Sequence, residues 1–384
     1  MSKIAIINAR NIFPMNGGDK IFSINLLKIL SKSNEICYIN IIDEDAYNDQ
    51  EEAGLLSFGR IDLKVEQIRF LNTPYAILKS SLLGMPFLAA RRPGKRKMKE
   101  KLNKYFSDFS PEIIIWDQIR SASYIVSFPG AKNILIEHND ESAIYRQRGA
   151  SKNKFARKFY NFQANLLEQF TKKIHQEMDR VIYLNKENIR TGSSPEKYRA
   201  FPFLFTSFSH GAYQVKEENK IQLLFVGAMD WYPNRDGIKW FIENVLPLLP
   251  QNFELKIVGR DASKAFMGAN FDRVSIHSDV ASIEPFYLSA DIFISPVFTG
   301  SGINIKILEA ASYGIPIMAT PFSLRGYQEV EFIPQADQAN DFADIILQHA
   351  AYPKRLELNA KLNAWYSNYV CRAEASVQQF FHVN

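Results

Sequence analysis

One segment, residues 289–320, restricts the fold of this chain more than any other. Its apolar strand at 292–294 leads into a glycine-containing turn at 299–302. A helix over 304–312 and a second apolar strand at 315–319 follow. This order predicts a parallel βαβ unit. Backbone N–H groups of the turn and the positive end of the helix would converge on one point, which favours a phosphate or another anion as the ligand.

Length and composition favour two globular domains. The chain has 384 residues, and its 46% hydrophobic content, with 29 Phe and 17 Tyr, suffices for two cores. No uncharged apolar run of about 18 residues occurs, so no transmembrane helix is predicted. The N-terminal residues enter a strand directly, without a signal-peptide pattern. Cys37 and Cys371 form neither a disulfide framework nor a metal motif. We expect a cytoplasmic protein.

The positive charge is concentrated in residues 91–104. Eight basic residues and one acid give this segment a net charge of +7, against +5 for the whole chain. An apolar stretch precedes it, with Leu82, Leu83, Met85, Phe87 and Leu88. Two interpretations stay open: a solvated helix face, or a surface that contacts an anionic membrane or a phosphorylated acceptor. We expect no nucleic acid partner, because aromatic residues do not alternate with the charges.

Two series of alternating strands and helices run through the chain. The first has predicted strands at 3–9, 36–42, 113–116, 133–137 and 180–184, and helices over 20–30 and 151–178. The second has predicted strands at 221–227, 254–258 and 274–276 and a helix over 235–248, followed by the βαβ unit and a helix over 356–381. One stripe of the helix over 151–178 is predicted to pack in a core; it consists of Phe155, Phe159, Phe162, Leu166, Phe170 and Ile174.

A change of composition over residues 191–220 marks a linker. Gly, Ser, Pro and scattered aromatic residues occur there without periodicity. We therefore predict an N-terminal domain over 1–205, a C-terminal domain over 215–360 and a final helical segment over 361–384.

In the first series, glycines and polar residues follow predicted strands. Ligands of parallel sheets bind outside the carboxyl ends of the strands. Gly17 and Gly18 allow close backbone approach to a ligand, although the loop is not a G-x-G-x-x-G motif and an ordinary turn is the alternative. His138 and Glu141 follow the strand at 133–137, but a single histidine is more often a structural residue.

The second series offers more such residues. Gly227 forms a turn between a strand and a helix, and Arg260 follows the next strand, where it suits a phosphate or a base. Glu309 is an isolated carboxylate in an apolar helix and must find hydrogen-bond donors. Lys306, one turn earlier, suits a phosphate, and a surface ion pair with Glu309 is the alternative.

The run GSG-x-x-x-K-I-L-E-A-A-x-x-G-x-P-I-x-A-T, residues 300–320, resembles the nucleotide-sugar-binding core of the retaining group 1 glycosyltransferases. Residues 138–146, HN-x-E followed by Tyr-Arg, and residues 225–234 resemble two further segments of this family. The resemblance implies an α/β chain with the GT-B architecture, in which two Rossmann-like domains with parallel sheets face each other across a cleft. The N-terminal domain would bind the acceptor, the C-terminal domain the nucleotide sugar, and the last helix would pack back on the first domain.

The resemblance also assigns roles to residues. Glu309 would accept hydrogen bonds from ribose hydroxyls, and His138, with Glu141 in the same segment, would contact the donor sugar. A second family glutamate would stand at position 301, where this chain has Ser301. Other residues would approach the donor phosphates or the acceptor; they are Gly17, Gly18, Gly227, Asn234, Arg235, Lys239, Arg260, Gly300, Gly302 and Lys306.

We therefore expect a hexosyl or related glycosyltransferase of polysaccharide biosynthesis, which moves a sugar from a nucleotide diphosphate sugar to a glycan or lipid-linked acceptor. By resemblance it would retain the anomeric configuration. We expect it to need neither a cofactor nor a metal ion, and to associate with the inner face of the membrane through residues 91–104. Two alternatives stay open: a nucleotide-sugar epimerase with the GT-B fold and, because of Ser301, a non-catalytic nucleotide-sugar-binding module.

Overall fold

A computed structural model describes residues 1–10, 12, 17–44, 61–150, 152–189, 193–205, 220–268, 271–300 and 302–381. The chain forms two compact units. The first combines Met1–Leu204 with Ala373–Asn384, and the second is Phe205–Arg372.

The first unit is built on a seven-stranded parallel sheet with the order β3-β2-β1-β4-β5-β6-β7. Its central strands are apolar except at their ends and are buried on both faces, as covered parallel strands require. The strands are β1 (Lys3–Asn8), β2 (Glu35–Asp43), β3 (Ile61–Ile68), β4 (Ile113–Asp117), β5 (Lys132–Glu137), β6 (Arg180–Tyr183) and β7 (Tyr198–Ala200). The helices are α1 (Gly18–Ser31), α2 (Thr73–Leu83), α3 (Phe87–Ala90), α4 (Lys95–Phe109), α5 (Gln118–Ser121), α6 (Glu141–Ala150) and α7 (Lys154–Glu177).

The second unit has a five-stranded parallel sheet with the order β10-β9-β8-β11-β12. The strands are β8 (Ile221–Val226), β9 (Phe253–Gly259), β10 (Val274–Ser278), β11 (Ile292–Ser295) and β12 (Ile317–Ala319). The helices are α8 (Tyr232–Trp240), α9 (Ala262–Ala265), α10 (Glu284–Ser289), α11 (Lys306–Ser312), α12 (Ala339–His349) and α13 (Tyr352–Phe381). In both sheets the strand order reverses beside the first strand of the unit, which is where doubly wound sheets bind ligands.

All ten predicted strands are present, with bounds shifted by up to two residues. Strands β3 and β7 and helix α2 were not predicted. The predicted helix over 235–248 is wrong in its bounds: α8 begins at Tyr232, with Pro233 in its first turn, and is followed by a π-helical turn and a 3-10 turn that end at Leu248. Helix α11 begins at Lys306, two residues after the predicted start.

The predicted helix over 151–178 is present as α7, with its start shifted by three residues and its end by one. Helix α6 ends at Ala150, and α7 begins after Asn153, whose side chain accepts a hydrogen bond from the Ala156 N–H at 3.0 Å as an N-cap. The apolar stripe is only partly buried. Leu166 and Ile174 lie in the core, whereas Phe155 is 85% exposed and Phe162 is 43% exposed. The N-terminal half of the stripe is therefore a surface.

The predicted linker overlaps residues that belong to the first unit. Residues 198–200 form β7, and the Phe203 ring packs on Phe22 with centroids 5.6 Å apart. The Asn25 side chain donates to the Leu204 carbonyl at 3.2 Å. These aromatic residues therefore fill the core of the unit up to Leu204.

Helix α13 contributes its C-terminal residues to the first unit. The Phe380 ring packs edge-on against Phe201 with centroids 4.8 Å apart, and the Arg180 guanidinium lies 4.8 Å from the centroid of the same ring. Elsewhere in α13, Arg355 forms a buried ion pair with Asp291 of the second unit. Among the described residues, no helix combines the length and the apolar character needed to cross a membrane.

Candidate functional site

The carboxyl edge of the five-stranded sheet gathers the residues predicted to bind the donor. Strands β9, β8 and β11 are neighbours. Gly227 follows β8, Gly259 and Arg260 stand at the end of β9, and the loop with Gly300 and Gly302 follows β11. Residues far apart in the sequence thus meet along one edge, as expected for a parallel sheet.

Gly259 is a glycine because the backbones of two strands approach closely here, and Gly227 is one because two side chains pack against it. Gly259 has a φ of 153°, and a Cβ on it would lie far inside van der Waals contact with the Gly227 carbonyl. A Cβ on Gly227 would lie 2.7 Å from Cε of Lys306 and 2.9 Å from Nδ2 of Asn234. Lys306 and Asn234 therefore pack directly against the Gly227 turn.

Asn234 holds this turn in shape. Its side chain is buried, and its Nδ2 donates to the Ala228 carbonyl at 2.8 Å. Helix α8 lies close to the loop after β11, because a Cβ on Gly237 would overlap the Pro296 carbonyl. The Asn234 side chain thus stabilises the Gly227 turn by its hydrogen bond to Ala228. Lys306 is a predicted cation whose side chain lies against the same turn.

Lys306 and Glu309 are half-buried on consecutive turns of α11. Burial lowers the pKa of Lys306 to about 8, although the nearby Glu309 opposes the shift. Burial raises the pKa of Glu309, against the effects of a hydrogen bond from Tyr287 and of the Lys306 charge. The Tyr287 hydroxyl donates to Oε2 of Glu309 at 2.8 Å. Lys306 is therefore not an ordinary surface lysine, and Glu309 retains an oxygen for which no hydrogen bond is recorded among the described residues.

Tyr287 is a site residue that no sequence pattern indicated. It is fully buried and stacks on Tyr313, with ring centroids 4.7 Å apart and planes 6° apart. Its position in α10, 22 residues before Glu309, carries no motif. An isolated carboxylate in an apolar helix predicts a hydrogen-bond donor nearby but does not say which residue supplies it.

The other predicted basic residues are exposed and paired with acids. Arg260 donates to both carboxylate oxygens of Asp230, at 3.0 and 3.1 Å. Arg235 lies 3.3 Å from Asp236, and Lys239 lies 3.7 Å from Glu243 on the same helical face. The structure brings Lys306 against the Gly227 turn, and it does not bring Lys239 there. The roles of these residues stay predictions.

The glycine turn after β11 is held by an arginine that was not predicted. Gly300 has a φ of 143°, and its carbonyl accepts from Nη2 of Arg325 at 3.2 Å. The Arg325 guanidinium stacks 4.1 Å from the centroid of the Phe322 ring. Gly302 is half-buried in the same loop, and Ser301 lies outside the described residues. The turn is therefore anchored by its carbonyl at Gly300.

The carboxyl edge of the seven-stranded sheet carries a second polar cluster. Asn8, Asp117 and His138 stand at or directly after the ends of the neighbouring strands β1, β4 and β5. Asp117 accepts from Nδ2 of Asn8 at 2.8 Å and from the Ser23 hydroxyl, and its Oδ1 lies 2.6 Å from Nε2 of His138. All of these side chains are buried.

The Asp117 carboxylate fixes the orientation of His138. An ionised carboxylate can only accept, so Nε2 of His138 carries the proton and Nδ1 is the acceptor of a neutral ring. Nδ1 is buried and has no hydrogen-bond partner among the described residues. The Phe22 ring packs edge-on against the imidazole with centroids 5.0 Å apart. The sequence prediction missed Asp117, although its place at the end of an apolar strand adjacent to β5 was a usable signal.

Glu141, Gly17 and Gly18 lie at helix starts along this edge. Glu141 stands in the first turn of α6 and accepts from Nη2 of Arg120 at 2.9 Å. The Gly17 carbonyl accepts from the N–H groups of Lys20 and Ile21, each at 3.1 Å, and Gly18 begins α1. In the described part of the chain, no three His, Cys, Asp or Glu side chains are grouped so that they could hold a metal ion.

Comparison with protein families matches residues 220–351, within the second unit, to the family described as glycosyl transferases group 1. The resemblance to group 1 glycosyltransferases is confirmed. A curated protein of Klebsiella pneumoniae, named as an uncharacterized 44.6 kDa protein in the cps region, is 23% identical over 342 residues, or 85% of this chain and 84% of that protein.

Solved structures of glycosyltransferases align over nearly the whole chain. An S. aureus TarM mutant in complex with Fondaparinux, alpha-GlcNAc-glycerol and UDP superposes with a TM-score of 0.67 at 12% identity, covering 99% of both chains. Anabaena HepE in complex with UDP-glucose gives 0.61 at 14% identity, covering 99% of both chains. WaaG, a glycosyltransferase involved in lipopolysaccharide biosynthesis, gives 0.60 at 14% identity, covering 99% of this chain and 100% of that one. The predicted GT-B fold, with two Rossmann-like parallel sheets, is thereby confirmed.

Proposed function

We propose that this protein transfers a sugar, a hexose or a related one, from a nucleotide diphosphate sugar to a glycan or lipid-linked acceptor. The observation that carries the proposal is the placement of Lys306 against the Gly227 turn, with Glu309 one helical turn later, inside the segment that matches the group 1 glycosyl transferases. A partly desolvated cation and a carboxylate on one helix face suit the two ends of a ribose diphosphate. The solved neighbours with UDP or UDP-glucose support a nucleotide-sugar donor.

Chemically, each residue has one task. The diphosphate gains negative charge as the glycosidic bond breaks, and the Lys306 ammonium and the loop N–H groups stabilise that charge. Glu309 accepts hydrogen bonds from the ribose hydroxyls, with Tyr287 holding one of its oxygens. In the first unit, Nδ1 of His138 accepts a hydrogen bond from a sugar hydroxyl while Asp117 holds the ring. Retention of configuration rests on the family resemblance alone.

Binding of a donor panel tests this assignment. A thermal shift should appear with one of UDP-, GDP-, ADP- or TDP-sugars, since a ligand at 100 times its dissociation constant adds about 2.7 kcal/mol to stability. The shift should shrink in Glu309→Gln and persist in Glu331→Gln, which removes an exposed carboxylate of the same unit. The absence of a shift with every donor would contradict the proposal. Transfer to acceptors, followed by NMR of the product anomer, then tests turnover and stereochemistry.

Metal independence is a separate part of the proposal, and activity in excess EDTA tests it. The chain contains one D-x-D triplet, Asp43-Glu44-Asp45, at the end of β2 in the first unit. The Asp43 carboxylate accepts from the Phe70 N–H at 3.1 Å, and Asp45 lies outside the described residues. If EDTA abolishes transfer and Mn²⁺ or Mg²⁺ restores it, the enzyme uses a metal ion and this triplet is the residue set to mutate.

We propose further that helices α2 and α4 form a surface that binds anionic membranes. Along α4 the buried side is apolar, with Met98, Leu102 and Phe106, while its basic residues other than Lys95 are exposed. Lys79 and Lys99 lie close enough to lower the pKa of Lys95, in addition to the effect of burial. Leu82 is 74% exposed and Leu83 59% exposed on α2. Basic charge beside exposed leucines suits an anionic lipid surface.

The predicted basic segment needs one correction, because Arg92 is buried and does not belong to this surface.

Co-sedimentation with anionic and neutral vesicles tests the surface. Lys97→Glu/Lys99→Glu should reduce binding to anionic vesicles. The control Lys172→Glu/Lys173→Glu, which changes two exposed lysines near the C-terminal end of α7, should not. Equal binding to both vesicle types would refute the electrostatic part. The Klebsiella relative, named for a cps region, supports a role in polysaccharide biosynthesis.

A further inference from the structure

Arg92 is a buried cation at the carboxyl edge of the seven-stranded sheet. Arg92 follows α3 in the sequence, and its side chain is 6% exposed. Nη1 donates to the Leu88 carbonyl at 2.6 Å, and Nη2 donates to the Ala9 carbonyl at 3.2 Å. Ala9 directly follows β1, so the guanidinium reaches the end of a central strand.

No carboxylate neutralises this charge among the described residues. Both of its acceptors are neutral carbonyls, and Nε is buried without a hydrogen-bond partner there. The Phe70 ring, 5.0 Å from the guanidinium, covers part of the group. Burial, together with the weaker effect of the Arg120 charge, lowers the pKa of Arg92 to about 10. A buried charge without a counter-charge is costly, so a protein that keeps one usually supplies it with an anion.

Arg120 brings a second guanidinium to the same edge. It belongs to α5, directly after β4, and its side chain is 30% exposed. Its partner Glu141 also acts on Arg92, though weakly. Arg10, which follows Ala9, is paired with Asp19. Arg10 and Arg120 are therefore each paired with a carboxylate at this edge, whereas Arg92 has neither a hydrogen bond nor an ion pair to a carboxylate among the described residues.

We infer that Arg92 and Arg120 bind a phosphate group carried by the acceptor. Guanidinium groups match the geometry of phosphate oxygens, and a pair of them matches a phosphate better than a singly charged carboxylate. Arg120 supplies the exposed contact, and Nε–H of Arg92 supplies the donor that the protein leaves unused. The identification of the phosphate carrier as the acceptor rests on the proposed function. The phosphate site itself can be tested independently of sugar transfer.

The test is calorimetric titration of the full chain, without donor, by glycerol 1-phosphate, inorganic phosphate and acetate. Glycerol 1-phosphate should bind more tightly than acetate, and its dissociation constant should rise roughly tenfold or more in Arg92→Gln and in Arg120→Gln. The control Arg157→Gln, which removes an exposed arginine of α7, should leave it unchanged. If Arg92→Gln does not fold, Arg92→Lys and Arg120→Gln carry the test.

Three results would overturn the inference. Equal affinity in wild type and Arg120→Gln would make Arg92 a structural link between two carbonyls. An equal loss in Arg157→Gln would indicate unspecific surface binding. Displacement of glycerol 1-phosphate by a nucleoside diphosphate in one-to-one competition would assign the site to the donor diphosphate. Failure of the donor panel with phosphate binding intact would refute the proposed function and leave this site standing.

Discussion

Lys306 should make the affinity for a nucleoside diphosphate depend on pH. Its pKa is about 8, against an ordinary value of 10.5, because the ammonium is desolvated beside the Gly227 turn. Roughly nine in ten Lys306 side chains are then charged at pH 7, and about one in ten at pH 9. If the charged form alone contacts the diphosphate, the dissociation constant should rise about tenfold between these values, or about 1.4 kcal/mol.

Calorimetry at pH 7, 8 and 9 measures this change, with the nucleoside diphosphate that gives the largest thermal shift. Lys306→Arg keeps its charge throughout and should bind with nearly the same affinity at each pH. Lys306→Met should bind weakly and without this pH dependence. Any ionisation of the ligand itself would change the affinity of all three proteins alike, so the two variants reveal it. A wild-type affinity that is constant from pH 7 to 9, or that falls equally in Lys306→Arg, would refute the reasoning.

The same pKa shift predicts the direction of a stability change. The folded protein binds the Lys306 proton more weakly than the unfolded chain, because its pKa lies below 10.5. This group therefore destabilises the fold while it is charged, and the penalty is relieved as the pH rises from about 8 to 10.5. The free energy of unfolding of the wild type, measured relative to that of Lys306→Met, should therefore rise over that interval.

Three further changes should separate binding, folding and turnover. Glu309→Gln should weaken nucleotide binding by about 1.5–3 kcal/mol, measured calorimetrically, because a charge-assisted hydrogen bond is lost; unchanged affinity would remove Glu309 from the donor site. Gly259→Ala should lower the free energy of unfolding in urea by about 3 kcal/mol, because its Cβ meets the Gly227 carbonyl at an unfavourable φ; a wild-type midpoint would mean that the two strands can separate there. Asp117→Asn should raise the activation free energy of turnover by about 1.5–3 kcal/mol, which lowers kcat roughly 10- to 150-fold, with donor affinity nearly unchanged. The reason is that His138 loses the carboxylate that fixes its proton on Nε2. Equal loss of stability and turnover would indicate a purely structural histidine.

Local sequence pattern was sufficient for most of the sheets. Each continuous apolar run that was predicted as a strand is one, because burial on both faces of a parallel sheet demands such a run. The pattern was insufficient for β3, Ile61–Ile68, which alternates apolar and charged residues. It also failed at Phe155, where helical spacing continues although the side chain is exposed.

The sequence by itself determined the two α/β series, the glycines after β8, β9 and β11, and Glu309 as a carboxylate that needs partners. The tertiary structure alone decided which residues meet. Strand order brings Asp117 to His138 across 21 residues and Tyr287 to Glu309 across 22. The tertiary structure also buries Arg92 and half-buries Lys306, whose sequence neighbours do not distinguish them from exposed basic residues. The physical reason is that helix and strand periodicity report each residue's own element, whereas desolvation and hydrogen bonding depend on elements packed from elsewhere in the chain.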